Sequence, residues 1–255
     1  DAKLNVFGNA IYKDGYLYVV YGKRYNKETL NERSNPNIIT LEVVKYDSDG
    51  RIVADLPLAG KETSRMTKTN QSDTAIEYGT ATPFDSGNCD IAINSSGVMR
   101  VLFNKEMYSG HTMSYNLFID TKDLTYLNRP STMDSKNRYY NYIGVTSTGF
   151  WISHSFEERV IATSDGDFLS VDQGDAHSRS MELIKGYVNT NGVENLSKYQ
   201  VFHFRESKNY NNTFASTGNL IELDDGYLLV ATSEKTLSLN YSPHYTLNES
   251  RNIFI

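Results

Sequence analysis

The chain has 255 residues, a formal net charge of −6, 22% charged and 39% hydrophobic residues, and an unusual wealth of Tyr (19) and Phe (11). That composition is globular and excludes a disordered chain. The acidic balance and the lack of basic clusters also exclude sequence-independent binding to nucleic acid or docking on anionic lipid, both of which need grouped Lys and Arg.

The first element in chain order is a hairpin. "FGNAIYK" at 7–13 and "DGYLYVVYGKR" at 14–24 are strand-like runs joined at Asp14-Gly15. Asp-Gly supplies the positive φ of a tight turn, and the flanking β-branched and aromatic residues fill a sheet. The pattern recurs as "CDIAINS" with "SGVMRVLFNKE" at 96–106, as "NYIGVTS" with "TGFWISHSFEE" at 148–158, and as "GNLIELD" with "DGYLLVATSEK" at 225–235. A third strand is expected after each hairpin, at 41–50, 115–124, 167–175 and 251–255. A fourth follows at 51–60, at 124–128, and at either 180–188 or 198–206. No segment keeps a 3.6-residue apolar period, so little or no helix is expected.

Four repeats of about four antiparallel strands predict an all-β chain folded as a β-propeller of at least four blades, alone or as part of a larger ring. The alternative is a two-sheet β-sandwich, which gives no reason for four matching hairpins. One domain over 1–255 is expected, with approximate repeats 1–75, 76–138, 139–206 and 207–255. The blade pattern resembles bacterial β-propeller repeat proteins in general, without a motif that fixes a family. The Trp-Asp dipeptide is missing, as is the Ser-x-Asp-x-Gly-x-x-x-Trp box of sialidases, to which "DSDGR" at 47–51 is only a superficial cousin. Two ways of finishing the ring compete: "AKLNVF" at the N-terminus supplies an outer strand to the last blade, or the chain is part of a longer propeller.

Loop lengths separate two ends. Turns between first and second strands are tight, whereas 24–37, 60–85, 128–140 and 236–250 are long and all leave on the opposite side. Long loops on a rigid scaffold are where binding resides. Aromatic rings there suit the faces of sugars, which makes Tyr241, His244 and Tyr245, with Tyr139 and Tyr140, the binding candidates; the plainer reading is that Tyr is a good strand residue with a polar tip.

His154, in "TGFWISHSFEERV", is expected at the end of a second strand, matching Tyr21, Phe103 and Ala231 in the other repeats. It is either a site or harmless variation. With Arg159, His111, Asp172 and Asp175 it makes up the acid–base set of an alternative reading, a polysaccharide hydrolase or lyase. That reading requires the groups to meet, because acid and base must reach one substrate. The run "SDGDFLSVDQGDAHSR" at 164–179 is the densest group of carboxylates. Asp172 and Asp175 are the candidate Ca²⁺ ligands within it, but Asp and Gly are also the commonest turn residues and the spacing fits no EF-hand. No metal or other cofactor is therefore expected.

Cys89 is the sole cysteine, so no intrachain disulfide forms, and a small buried thiol is expected. Phosphate-loop, zinc, Gly-x-Ser-x-Gly and His-Glu-x-x-His signatures are missing. No run of about 18 apolar residues is present to span a membrane, and no signal peptide is visible. Six Asn-x-Ser/Thr sequons permit secretion. The sequence thus favours a non-catalytic propeller, extracellular or at the cell surface, that binds a glycan or a protein through its long-loop face. Besides the enzyme, a structural repeat module of a larger assembly is the other alternative.

Overall fold

The computed structural model describes residues 4–23, 38–59, 66–67, 84, 89–106, 112–127, 138–139, 159–173, 180–188, 194–203, 216–234 and 251–254. Among these the secondary structure is all β. The first sheet comprises β1 (Val6–Lys13), β2 (Tyr16–Gly22), β3 (Ile39–Tyr46) and β4 (Ile52–Ala59). After the short β5 (Met66–Thr67) comes a second sheet of β6 (Cys89–Ile93), β7 (Val98–Glu106), β8 (Thr112–Asp120) and β9 (Thr125–Tyr126). A two-residue β10 (Arg138–Tyr139) pairs with β5. The third sheet is β11 (Arg159–Ala162), β12 (Phe168–Gln173), β13 (Ser180–Val188) and β14 (Glu194–His203). The fourth is β15 (Ser216–Leu223), β16 (Gly226–Glu234) and β17 (Arg251–Phe254). Each of the four is an antiparallel meander in which every strand pairs with the next in sequence. That is four sheets, where a sandwich would have two.

The turns explain why the chain reverses where it does. Asp14 and Gly15 both hold positive φ, 51° and 86°, beneath the Lys13–Tyr16 pair, which is the mirror-image turn that matches strand twist. Leu223 and Gly226 close a loop of the same length over Asp224-Asp225. A second design occurs three times, in "DSDGR", "NSSGV" and "TSDGD". Asp47, Asn94 and Thr163 each donate their amide to the carbonyl of the residue four positions on, at 2.9–3.0 Å, and accept the turn glycine's amide at 2.9–3.1 Å. Gly50, Gly97 and Gly166 carry φ of 75°, 76° and 90°, a region that costs glycine nothing. The Asp47 and Asn94 side chains cap the same loops by accepting two backbone amides each.

This motif corrects the third repeat. The third sheet's first hairpin lies at 159–173, around Gly166; the hairpin expected at Gly149 lies outside the described residues. The run 167–175, expected as a third strand, contains the second strand β12; the two stretches offered as alternatives for the fourth strand are the third and fourth, β13 and β14. A further correction concerns ring closure. Val6 and Phe7 pair with Gly22 and Tyr21 inside the first sheet, so they do not form the outer strand of the last one.

Strand alternation then stacks the sheets. In the second sheet Ile91, Ile93, Met99, Val101 and Phe103 face the first sheet's Tyr18, Val20, Leu41 and Val43. The residues between them, Ala92, Val98, Leu102 and Phe118, face Val160 and Phe168 of the third sheet. The third sheet's other side, Leu169 and Val171, meets Leu220 of the fourth. Sheets two and three are thus apolar on both faces, and the first strands β1, β6, β11 and β15 lie in succession along the stack. Lys45, buried at this first boundary, donates to the carbonyls of Thr121 (2.8 Å) and Lys122 (3.3 Å) and lies 4.2 Å from the centre of the Tyr16 ring. No helix among the described residues is long and apolar enough to cross a membrane.

Candidate functional site

Polar side chains gather where the first strands begin. Asn9, Asp90, Arg159 and Asn219 hold equivalent register positions, opposite Val20, Leu102, Val171 and Val230 respectively. In β1 and β15 a bulge falls at this level, around Gly8 and Gly218. A side chain would not fit at either glycine: an added Cβ would lie 2.8 Å from the Phe84 ring at Gly8 and 2.9 Å from the Val230 carbonyl at Gly218. The bulge lets the following Asn fold back, its Oδ1 accepting the next amide, from Ala10 at 2.7 Å and from Leu220 at 2.9 Å.

The first three members reach towards the next sheet. Asn9 Nδ2 donates to the Cys89 carbonyl at 2.9 Å and to Asp90 Oδ1 at 3.2 Å. Asp90 Oδ1 also accepts the Ile91 amide at 3.0 Å, while Oδ2 accepts the Val160 amide at 2.8 Å. Arg159 Nε donates to the Gly218 carbonyl at 2.9 Å. The line crosses all three boundaries between sheets. Burial raises the Asp90 pKa above the usual carboxylate value, against the lowering effect of its backbone donors, the Arg159 charge and Asn9. Its oxygens are taken by strand amides that stay fixed, so the group holds sheets together and is not free to shuttle a proton.

The opposite end of the strands is charged and structural. Lys185 pairs with Asp165 and lies 3.5 Å from Asp167. These bonds hold the Asp165 carboxyl at about 2, with Lys185 the largest cause and the Thr163 hydroxyl next. Glu222 accepts the Ser164 amide and hydroxyl, joining the third sheet's turn to β15.

Of the sequence candidates, Arg159 is the one whose side chain is described, as the first residue of β11. The strand position of Asp172, next to the last in β12, is fixed by its pairing with Glu182, and that of Tyr139 by pairing with Met66. In the third sheet, whose first hairpin is centred on Gly166, Asp172 holds the second-strand position that matches Tyr21, Phe103 and Ala231. His154, His111, Asp175, Tyr140, Tyr241, His244 and Tyr245 lie outside the described residues. Among the described residues no three His, Cys, Asp or Glu side chains group as metal ligands. Cys89 is buried. The belt residues Asn9, Asp90 and Asn219 were not singled out from sequence, although "FGNAI", "CDIAI" and "TGNLI" carry the signal: a side-chain amide or carboxylate just ahead of each apolar first strand.

No family model matches the chain. No curated relative matches it either. Among solved structures it is similar to a mutant of the NanB sialidase from Streptococcus pneumoniae and to NanB with Optactamide. In both cases the TM-score is 0.43 and the identity 14%, over 91% of this chain and 27% of the other. The chain therefore spans about a quarter of the length of those proteins, and the likeness is weak and distant.

Proposed function

We propose that this chain is a β-propeller, or part of a larger one, that binds a glycan or a protein without catalysis through the end of the sheets where its long connections gather. The supporting observation is strand polarity. The short turns at 14–15, 47–51, 94–98, 163–167 and 224–225 all join first to second or third to fourth strands. Antiparallel alternation puts them at one end of their sheets. Every second-to-third connection, and every passage between sheets, then starts and finishes at the other end.

Those intervals carry His111, Asp175, Tyr139, Tyr140, His154, Tyr241, His244 and Tyr245. Arg159 and Asp172 sit on strand ends facing the same way. Tyr rings and a few polar groups at the open end of a rigid stack are the chemistry of sugar and protein recognition. The belt beneath is rigid and hydrogen-bonded, which suits a platform better than a proton-transfer site. An extracellular or cell-surface setting fits such a role, and no cofactor enters it.

The test is a glycan microarray followed by calorimetry on any ligand found, with Tyr241→Ala and Tyr245→Ala as variants. Binding that falls at least about tenfold in these variants supports the reading. Cleavage of a polysaccharide that is abolished by His154→Ala overturns it in favour of the hydrolase or lyase.

A further inference from the structure

The sequence has four Asp-Gly steps, at 14–15, 49–50, 165–166 and 225–226. At such a step the chain can cyclise on itself, because glycine leaves its own amide nitrogen unshielded and the backbone free to turn towards the aspartate side chain. All four lie at hairpin turns, but the turns use the glycine amide differently. Gly50 and Gly166 donate theirs to the carbonyls of Asp47 and Thr163, at 3.0 and 2.9 Å. Gly226 is the first residue of β16, paired with Leu223 across Asp224-Asp225, so its amide closes the hairpin. Gly15 is the exception. It is the second of two loop residues between the paired Lys13 and Tyr16, a position outside the ladder, and its amide has no acceptor among the described residues.

The carboxyl groups differ in the same sense. Asp49 Oδ2 accepts from Arg51 at 2.6 Å. Asp165 accepts from Lys185 and from the Thr163 hydroxyl, which hold it at about 2 and leave almost none in the acid form that can lose water. The Asp14 carboxyl has no hydrogen-bond partner among the described residues. Asp14 and Gly15 are both exposed, and a Cβ on Gly15 would meet nothing within 4 Å. Asp14 also holds a φ of 51°, which an L-residue gives up readily when a turn opens.

We propose that Asp14-Gly15 is a modification site, the step at which the folded chain converts aspartate to isoaspartate and so becomes a substrate for an S-adenosylmethionine-dependent isoaspartyl methyltransferase. The Gly15 nitrogen attacks Asp14 Cγ; a C–N bond forms, and the side-chain hydroxyl leaves with the amide proton as water. Water then opens the cyclic imide. Attack at Cγ restores aspartate, whereas attack at the main-chain carbonyl leaves Gly15 bonded to Cγ and frees an α-carboxylate. One water is lost and one regained, so no oxidant or reductant enters. Isoaspartate adds one backbone carbon to a loop whose two residues match the strand twist. Beside it the Tyr16 ring lies 4.2 Å from the buried Lys45 Nζ, so the longer loop loosens both the Lys13–Tyr16 pair and the cover over that cation. The modification is independent of what the long-connection end binds.

The experiment incubates the folded 255-residue chain in heavy-oxygen water at mildly acidic pH and physiological temperature, beside a second sample in urea. Digestion and electron-transfer fragmentation locate isoaspartate peptide by peptide, and methyl transfer from labelled S-adenosylmethionine counts it. Asn191-Gly192 lies outside the described residues and is read on its own peptide. In the folded chain, isoaspartate is expected at position 14 at least about fivefold faster than at 49, 165 or 225, where a hydrogen bond must first be given up. Each conversion takes up one heavy oxygen. In urea the four rates converge, because the protection belongs to the turns. Asp14→Glu, which cannot close a five-membered imide, removes the signal from that peptide with circular dichroism unchanged. Equal rates at the four steps of the folded chain, faster conversion at any of the other three, or no conversion at position 14 in the folded state overturns the proposal.

Discussion

Asp90 and Val160 tie the second sheet to the third: the carboxylate Oδ2 accepts the valine amide at 2.8 Å while Oδ1 holds Ile91 and Asn9. An amide at this position has one acceptor oxygen where the carboxylate has two. Asp90→Asn therefore sets a donor against either Val160 or the Ile91–Asn9 pair, and a loss of about 1–3 kcal/mol in urea unfolding is expected. The pH dependence has a definite sign. Burial raises the folded pKa above 3.8, so the contribution of this group is complete below that value and declines as pH rises through the folded pKa. The gap between wild type and Asp90→Asn narrows from pH 4 upwards; a gap that widens would contradict the assigned burial.

Asp165 behaves in the opposite sense. Its carboxyl, held at about 2 by Lys185 and Thr163, stabilises the fold above pH 3.8 and loses that effect as pH falls towards 2. The side chain is about half exposed, so solvent screening keeps Asp165→Asn below about 1 kcal/mol at pH 7. Salt at about 1 M is expected to remove most of the difference, a result that unfolding curves at two ionic strengths would show.

The contrast between these two aspartates bears on how much the sequence discloses. Three of the four hairpins are legible because Asp14-Gly15, the Gly97 turn and the Asp225-Gly226 step each sit between β-rich apolar runs. The last turn is nevertheless made by Asp224-Asp225, with Gly226 paired to Leu223 as the first residue of β16. The hairpin at Gly166 is passed over because "TSDGDFLS" shares its local pattern with "TGFWISH", and a Gly between β-rich runs does not by itself rank two such candidates. The deciding signal is longer: "DSDG", "NSSG" and "TSDG" share a capping first residue, Ser and a positive-φ Gly. Treating 164–179 as an acidic cluster hid the turn inside it. The belt is harder to see, since Asn9 and Asp90 act across boundaries between residues some 80 positions apart, and local patterning carries no record of such pairs. Stacking is more readable in retrospect: β6 and β7 lack polar alternation, as expected for strands buried on both faces.

Lys45 is the buried cation of the first boundary, and its loss tests whether that boundary depends on polar contacts. Lys45→Met keeps length and apolar stem but removes the donors to Thr121 and Lys122 and the contact with Tyr16. The Thr121 carbonyl then loses a charge-assisted bond inside the protein. A destabilisation of about 1.5–3 kcal/mol is expected. An effect within about 0.5 kcal/mol, the ordinary range of a surface substitution, would show that the apolar contact alone holds the two sheets.

Two glycines of the fourth sheet, eight residues apart, separate close backbone approach from simple chain freedom. At Gly218 a Cβ would come within 2.9 Å of the Val230 carbonyl, a backbone atom that cannot swing away. Gly218→Ala therefore has to open the bulge that places Asn219, and about 1–3 kcal/mol of destabilisation is expected from the overpacking. Arg159 would register the change as well, since its Nε bond ends on the Gly218 carbonyl. Gly226 has nothing within 4 Å of its added Cβ and no positive φ. Gly226→Ala should be neutral or stabilise by about 0.4–1 kcal/mol by restricting the unfolded chain. Urea denaturation of the pair decides the matter. If both variants behave alike, the bulge at Gly218 is not the device that aims Asn219; if they diverge, the glycine is there to let two strands of one sheet approach and to leave the asparagine pointing out of it.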